Sequence, residues 1–213
     1  MKRARVLLAD DHKIVAAGLK GILEPEFELV GTVQDGRALL KAARELRPDV
    51  IVVDISMPLL NGIEAVRQLK KANDRAKVVF LTMPPDVTYA TRAFEAGASG
   101  YVLKHSAPAE LVTAVREALK GRTYVTPMIA GELMRSYQDG SGKRKDPTRT
   151  MTPRQREVLQ LLAEGHSAKD AAAILGISPR TAEFHKYRMM RELGIRTNAE
   201  LMQYAIKHGV VAT

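Results

Sequence analysis

Val50-Ile-Val-Val-Asp-Ile-Ser-Met-Pro58 decides the fold. Four β-branched residues in succession leave no polar face, as in a strand covered on both sides, and the run stops at a carboxylate followed by a turn with a proline. Working outward, Arg5-Val-Leu-Leu-Ala9, Glu28-Leu-Val-Gly-Thr-Val33, Lys77-Val-Val-Phe-Leu81 and Gly100-Tyr-Val-Leu103 repeat the short aliphatic pattern. The segments between them, such as Gly36 to Leu46, Gly62 to Ala72, Val87 to Ala96 and Ala109 to Leu119, carry apolar residues at helical spacing. Strands alternating with helices predict an α/β, doubly wound, five-stranded parallel sheet, with chemistry at the carboxyl ends of its strands.

The alternation stops after Gly121. A short helix is expected over Met128 to Tyr137. The following run from Gln138 to Pro147 is rich in Gly, Ser and charge, as a tether would be. From Thr152 onward the periodicity is purely helical. The sequence therefore predicts a sheet domain over 1–121, a linker over 122–149 and a small all-α domain over 150–213.

Composition narrows the function classes. The 213 residues contain no Cys, which excludes disulfide scaffolds, thiolate metal sites and Cys nucleophiles. No apolar run reaches the roughly 18 residues of a bilayer span, and the early acidic pair is unlike a signal peptide, so no membrane association and a cytoplasmic location are expected. Thirty-three Lys and Arg against 24 Asp and Glu give a net charge of +9, compatible with a polyanionic partner but decisive only if particular charges are well placed.

Acidic residues fall where two strands end: Asp10 and Asp11 after the first, Asp54 after the third. If those strands are neighbours, three carboxylates converge, and pairs about 4 Å apart repel by about 4 kcal/mol at an effective dielectric near 20. Such a cluster calls for a cation, and an all-oxygen donor set suits Mg²⁺. Thr82 and Lys104 fall at the ends of the next two strands, where a hydroxyl and an ammonium can hold a tetrahedral oxyanion. A carboxylate beside them can act as a nucleophile toward phosphorus. Each residue alone also fits a turn or a solvated charge; their succession at consecutive strand ends is what favours chemistry.

Taken together, Asp10-Asp11, Asp54 within Val53-Asp-Ile-Ser-Met-Pro58, Asn61-Gly62, Thr82 and Tyr101-Val-Leu-Lys104 resemble the receiver domain of two-component response regulators over residues 1–121. The resemblance implies a flavodoxin-like fold and a phosphoacceptor at Asp54, supplied by a sensor histidine kinase. It implies Mg²⁺ held by Asp11, Asp54 and the carbonyl of Ser56, with Asp10 acting through water. Thr82 and Lys104 would hold the phosphoryl group, and Tyr101 would move inward with Thr82. Pro58 and Gly62 would shape the loop after the third strand. Three departures stand out. His105 follows Lys104 where many receivers have a cis proline, so a trans peptide is expected. Met83-Pro-Pro-Asp86 should stiffen the loop after Thr82. Met83 is larger than the Ala or Gly common there and should restrict access.

In the C-terminal part, Thr152, Pro153 and Gln155 form the pattern of a capped helix start. Ala168 to Leu175 predicts a second helix. Gly176-Ile-Ser-Pro179 is a tight turn into a third helix, capped by Ser178. Helix, short turn, helix is the DNA-reading helix-turn-helix pattern. On the third helix an apolar seam of Ala182, His185, Met189 and Leu193 leaves Arg180, Glu183, Phe184, Lys186, Tyr187, Arg188 and Arg191 outward, a mixture suited to phosphate and base contacts. A merely solvated charged face is the competing reading.

Residues 150–209 resemble the LuxR-type domain of NarL/FixJ regulators through Arg156-Glu-Val-Leu159, Leu161-Leu-Ala-Glu-Gly165, Ile177-Ser178, Thr181 with His185, and Leu193-Gly194. The resemblance implies double-stranded promoter DNA as partner. Glu183, Phe184 and Tyr187 would face bases, Lys186 and Arg188 would lie near phosphates, and Arg180, Thr181 and Arg191 would complete the DNA-binding surface. It also implies a homodimer on activation, paired through Leu201, Met202, Tyr204 and Ala205. A rival reading is an enzyme, a haloacid-dehalogenase-like phosphatase. That chemistry needs its nucleophile after the first strand and a second Asp two residues later, where this chain has His12. A dedicated enzyme is therefore not expected. A degenerate receiver working without phosphate is disfavoured by the intact acidic, Thr and Lys set.

Overall fold

The computed structural model describes residues 3–72, 75–83, 85–138 and 151–211. Pro84 and the tether expected from residue 139 to Pro147 lie outside them. The chain divides into two compact units.

The first unit is built on parallel strands β1 (Arg5–Ala9), β2 (Glu28–Val33), β3 (Val50–Asp54), β4 (Lys77–Thr82), β5 (Gly100–Leu103) and β6 (Tyr124–Val125), in the order β2-β1-β3-β4-β5-β6. All five residues of β3 are buried, as its unbroken β-branched run requires of a strand covered on both faces. One face of the sheet presents Val6, Leu8, Val50, Val52, Val79, Leu81 and Val102 to the core. That face packs on α1 (Lys13–Leu23) and α5 (Ala107–Leu119), through Leu19, Leu23, Leu111 and Val115. Because side chains alternate along a strand, Tyr101 points to the opposite face. Helices α2 (Gly36–Leu46), α3 (Gly62–Lys71) and α4 (Val87–Ala96) complete the unit, followed by α6 (Pro127–Gln138), which packs on α4.

Five strands were expected and six are present. The extra strand pairs in parallel with β5, Gly100 opposite Tyr124 and Tyr101 opposite Val125. Two residues are too few to show any period, so only the pairing itself reveals the strand.

The second unit is helical: α7 (Pro153–Ala163), α8 (Ala168–Leu175), α9 (Pro179–Leu193) and α10 (Asn198–Lys207). Thr152 and Gln155 form the expected reciprocal capping box, and Ser167 with Asp170 forms a second. Gly176 takes the left-handed conformation at φ 64° that lets α8 stop and α9 begin within three residues. Ser178 accepts from the Thr181 amide at 3.1 Å, starting α9. The core gathers Val158, Leu159 and Leu161 from α7, Leu175 from α8, Met189 and Met190 from α9, and Leu201 and Ala205 from α10. An inward-facing Met190 was not part of the expected seam, and His185 and Leu193 are only half-buried.

Candidate functional site

In the first unit β1 and β3 are hydrogen-bonded neighbours, Ala9 opposite Val53, so the residues that follow each are delivered to one edge. Register with β4 and β5 brings Thr82 beside Leu103, one residue before Lys104. The cleft follows from these pairings. Asp10, Asp54, Thr82 and Lys104 are all buried, and Asp11 is half-buried at the mouth.

The Lys104 ammonium donates to Asp54 Oδ2 at 2.7 Å and stands 2.8 Å from Asp10 Oδ2. Asp54 Oδ1 accepts from the Ser56 amide at 3.3 Å, and Asp10 Oδ1 accepts from the His12 amide at 2.9 Å. Burial pushes the Asp54 carboxyl up to about 6, against the opposing pull of Lys104. Burial pulls on the Lys104 ammonium in the neutral direction, but Asp54 and Asp10 outweigh it and its pKa is raised. Lys104 thus stays charged and balances part of the acidic cluster.

The donor chemistry of the cleft fits a hard cation. Asp10, Asp11 and Asp54 each offer a carboxylate oxygen, His12 offers a ring nitrogen, and these atoms lie within 4.8 Å of one another. Asp10 Oδ2 is met by the Lys104 ammonium at 2.8 Å, whereas Asp11 Oδ1 is a buried atom that accepts no hydrogen bond and has the His12 ring beside it. One ammonium shared by Asp10 and Asp54 leaves Asp11 uncompensated, and a buried carboxylate oxygen is costly unless a cation meets it.

Gly62 holds the floor of the cleft. Its amide donates to the Ile55 carbonyl at 2.9 Å, and a Cβ there would lie 2.1 Å from the Asp54 carbonyl oxygen. Only a residue without a side chain lets α3 start so close to the end of β3.

On the far side of Thr82, Tyr101 is fully buried and its hydroxyl donates to the Asp86 carbonyl at 3.4 Å. Burial drives its pKa far up despite a hydrogen bond with Thr82. Asp86 in turn caps α4 by accepting from the Thr88 amide at 2.6 Å. The inward position expected of Tyr101 after a movement is thus the one it already holds. Met83, expected to restrict the site, is 64% exposed. No peptide among the described residues is cis, so Lys104-His105 is trans as expected.

In the second unit α9 turns Arg180, Glu183, Phe184, Tyr187, Arg188 and Arg191 outward. Phe184 and Tyr187, large apolar rings 59% and 60% exposed, stand between the arginines. Arg188 donates to Glu192 at 2.8 Å, and the Thr181 hydroxyl lies 2.8 Å from that of Ser178 within the cap. Lys186 is half-buried and lines a groove with Leu201 and Met202, and its ammonium stands 5.5 Å from the centre of the exposed Tyr187 ring. The residues expected to pair two copies also divide. Leu201 and Ala205 are core residues, exposed by 2% and 0%, and are not available to a partner; Tyr204 is half-buried, and the apolar side chains that α10 does expose are Met202 and Ile206.

Comparison with known proteins agrees with this division. Residues 6–116 match the response regulator receiver domain, and residues 149–205 match the bacterial regulatory proteins of the luxR family. The transcriptional regulatory protein MctR of Rhizobium johnstonii is 37% identical over 99% of this chain and 96% of its own length. The chain is a LuxR-type response regulator of the NarL/FixJ family.

Other relatives of this response regulator include GacA of Pseudomonas aeruginosa, 33% identical over 97% of both chains. Among solved structures, RcsB of Salmonella enterica serovar Typhimurium, bound to a promoter in the presence of the phosphomimetic BeF3−, is 28% identical with a TM-score of 0.62, covering 95% of this chain and 98% of that one. A LuxR-family regulator from Aurantimonas sp. SI85-9A1 is 39% identical with a TM-score of 0.61 over 64% of this chain and 99% of its own. The regulator's cleft also contains a residue that sequence reasoning did not assign to it. His12 was noted only as the wrong residue for a phosphatase, yet its ring stands 2.8 Å from Asp11 Oδ1. The signal available was its place next to Asp10-Asp11; the reach of its ring back to the cluster was not.

Proposed function

We propose that a sensor histidine kinase supplies a phosphoryl group to Asp54, and that the modified protein binds promoter DNA in the cytoplasm as a homodimer. The observation that carries this reading is the Lys104 ammonium held 2.7 Å from Asp54 and 2.8 Å from Asp10, with Thr82 at the end of the adjoining strand. A buried carboxylate with a raised pKa is a stronger nucleophile than a solvated one, and about 6 still leaves it mostly ionised at neutral pH.

Asp11 and Asp54, with the Ser56 carbonyl, would hold Mg²⁺, and Asp10 would act through water since both its oxygens are engaged by His12 and Lys104. When bound, the ion neutralises charge between the carboxylates and the incoming phosphoryl oxygens. An Asp54 carboxylate oxygen attacks phosphorus as the donor's leaving group departs. Lys104 then pairs with one phosphoryl oxygen and the Thr82 hydroxyl donates to another. Because Tyr101 and Asp86 lie behind Thr82, drawing Thr82 toward phosphate favours the inward tyrosine and the α4 start that Asp86 caps. Exposed Arg180, Arg188 and Arg191 would meet phosphates, and Glu183, Phe184 and Tyr187 would meet base edges. Among the described residues no helix is long and apolar enough to cross a membrane, which is compatible with work in the cytoplasm. The pairing surface would use Met202 and Ile206 of α10.

Incubation with a small phosphodonor and Mg²⁺ tests the first step. Intact mass should rise by one phosphoryl group, chelation should prevent the gain, and Asp54→Asn should show none. Equal labelling of that variant would remove Asp54 from its role.

A further inference from the structure

The cleft holds one donor that is not an oxygen. His12 Nδ1 stands 2.8 Å from Asp11 Oδ1 and 3.6 Å from Asp10 Oδ1. Its backbone amide is fixed to the same cluster through Asp10 Oδ1, so the residue is anchored at the site while its ring remains 61% exposed. His12 occupies the N-cap of α1 but makes no side-chain cap bond. The imidazole is therefore not committed to starting the helix. At 2.8 Å the imidazole nitrogen and Asp11 Oδ1 are within ion-pair reach, so two potential ligand atoms face each other at the mouth of the cleft, with the Asp54 and Asp10 carboxylates in range of both. Asp10 behind them is fully buried, its Oδ2 paired with the Lys104 ammonium at 2.8 Å.

We propose that His12 is a direct ligand for a divalent transition-metal ion in this cleft, giving the site a nitrogen donor beside the Asp11 and Asp54 carboxylates. The proposal rests on reading the cleft as a cation site. Imidazole is a good donor to Mn²⁺ and Ni²⁺ and a poor one to Mg²⁺, which prefers oxygen and keeps its waters. An exposed ring at the mouth can replace one of those waters at little desolvation cost. A nitrogen ligand should therefore widen the gap between transition metals and Mg²⁺ beyond that of an all-oxygen site. The competing arrangement is a protonated His12 paired with Asp11, which would oppose any cation rather than bind one.

Calorimetric titration of the full chain separates these cases. It would be run with Mg²⁺ and Ni²⁺ on wild type, His12→Asn and Asp11→Ala, alongside pulsed EPR of the Mn²⁺-loaded protein. Asn suits an N-cap and keeps α1 intact. His12→Asn should lower Ni²⁺ affinity at least about tenfold more than Mg²⁺ affinity, and should remove a nitrogen hyperfine coupling present in wild type. Equal changes for both ions, or no nitrogen coupling in wild type, overturn the proposal while leaving the cation site standing if Asp11→Ala weakens both ions. If Asp11→Ala binds both as well as wild type does, the cation site itself is wrong and the proposal falls with it.

Discussion

The acidic cleft and the recognition helix carry their working residues in opposite ways. Asp10, Asp54, Thr82 and Lys104 are buried, each at or just beyond the end of a strand whose neighbours fix its register. Arg180, Phe184, Tyr187 and Arg191 are exposed, and only the angular phase of α9 groups them. A residue at a strand end is set by backbone pairing and cannot move without disturbing the sheet. A residue on a helix surface can be exchanged with little effect on folding. Substitutions in the cleft should therefore disturb stability and chemistry together, whereas those on the helix should disturb DNA binding alone.

The largest effect should come from Gly62→Ala. The added Cβ meets the Asp54 backbone carbonyl oxygen at 2.1 Å, an atom that cannot swing aside as a side-chain tip can, so α3 and the end of β3 must part. Unfolding of the first unit in denaturant should shift by about 3 kcal/mol or more, with phosphorylation lost and the helical unit's transition unmoved. An unshifted first transition would mean that the cleft floor is softer than its packing indicates.

The pH response of the two units should then differ in sign. Without Mg²⁺, the folded first unit holds the Asp54 proton up to about 6 while the unfolded chain releases it near 3.8. Stability from this group is present at low pH and is lost as pH rises through that window, by about 3 kcal/mol. Asp54→Asn should remove the slope and Mg²⁺ should oppose it. In the helical unit His185 is held below 6.5 by burial, with Arg154 and Arg188 adding to the shift. There the unfolded chain takes the proton first, so stability is full above 6.5 and falls on acidification below it. Thermal unfolding of the full chain at several pH values, followed by a probe for each unit, reads both. Parallel slopes would break the contrast.

Smaller effects belong to α9. Arg180→Ala should weaken all sequences and reduce the salt slope by about one contact, and Glu183→Ala should relax base choice by ~1–3 kcal/mol at one pair. Lys186→Ala should do less than either, because the residue is half-buried where Arg180 and Glu183 are exposed. Binding titrations at several salt concentrations rank them. A Lys186 effect as large as that of Arg180 would return it to the phosphate-facing set.

The strands were legible because short aliphatic and β-branched runs bounded by turns suit a sheet covered on both faces, and the cleft because Asp10, Asp54 and Thr82 sit where those runs stop. Tyr124-Val125 was not, since two residues become a strand only through a neighbour. On α10 an excess of apolar residues was visible, but which of the pairs Leu201 with Ala205 and Met202 with Ile206 turned inward depended on packing against α7. The partial burial of Lys186 was not legible either, because charge alone does not give helical phase. His12 escaped because its significance lies in where its ring reaches.

The most direct test joins the two regions. Affinity and stoichiometry would be measured for a duplex selected from a random pool by the phosphorylated protein, using wild type and Asp54→Asn with and without phosphodonor and Mg²⁺. Phosphorylated wild type should bind as a dimer at least about tenfold more tightly than unmodified protein, a coupling near 1.4 kcal/mol or more, while Asp54→Asn stays at the unmodified level. A phosphodonor response of equal size in Asp54→Asn, or none in wild type that carries the phosphoryl group, would contradict the account.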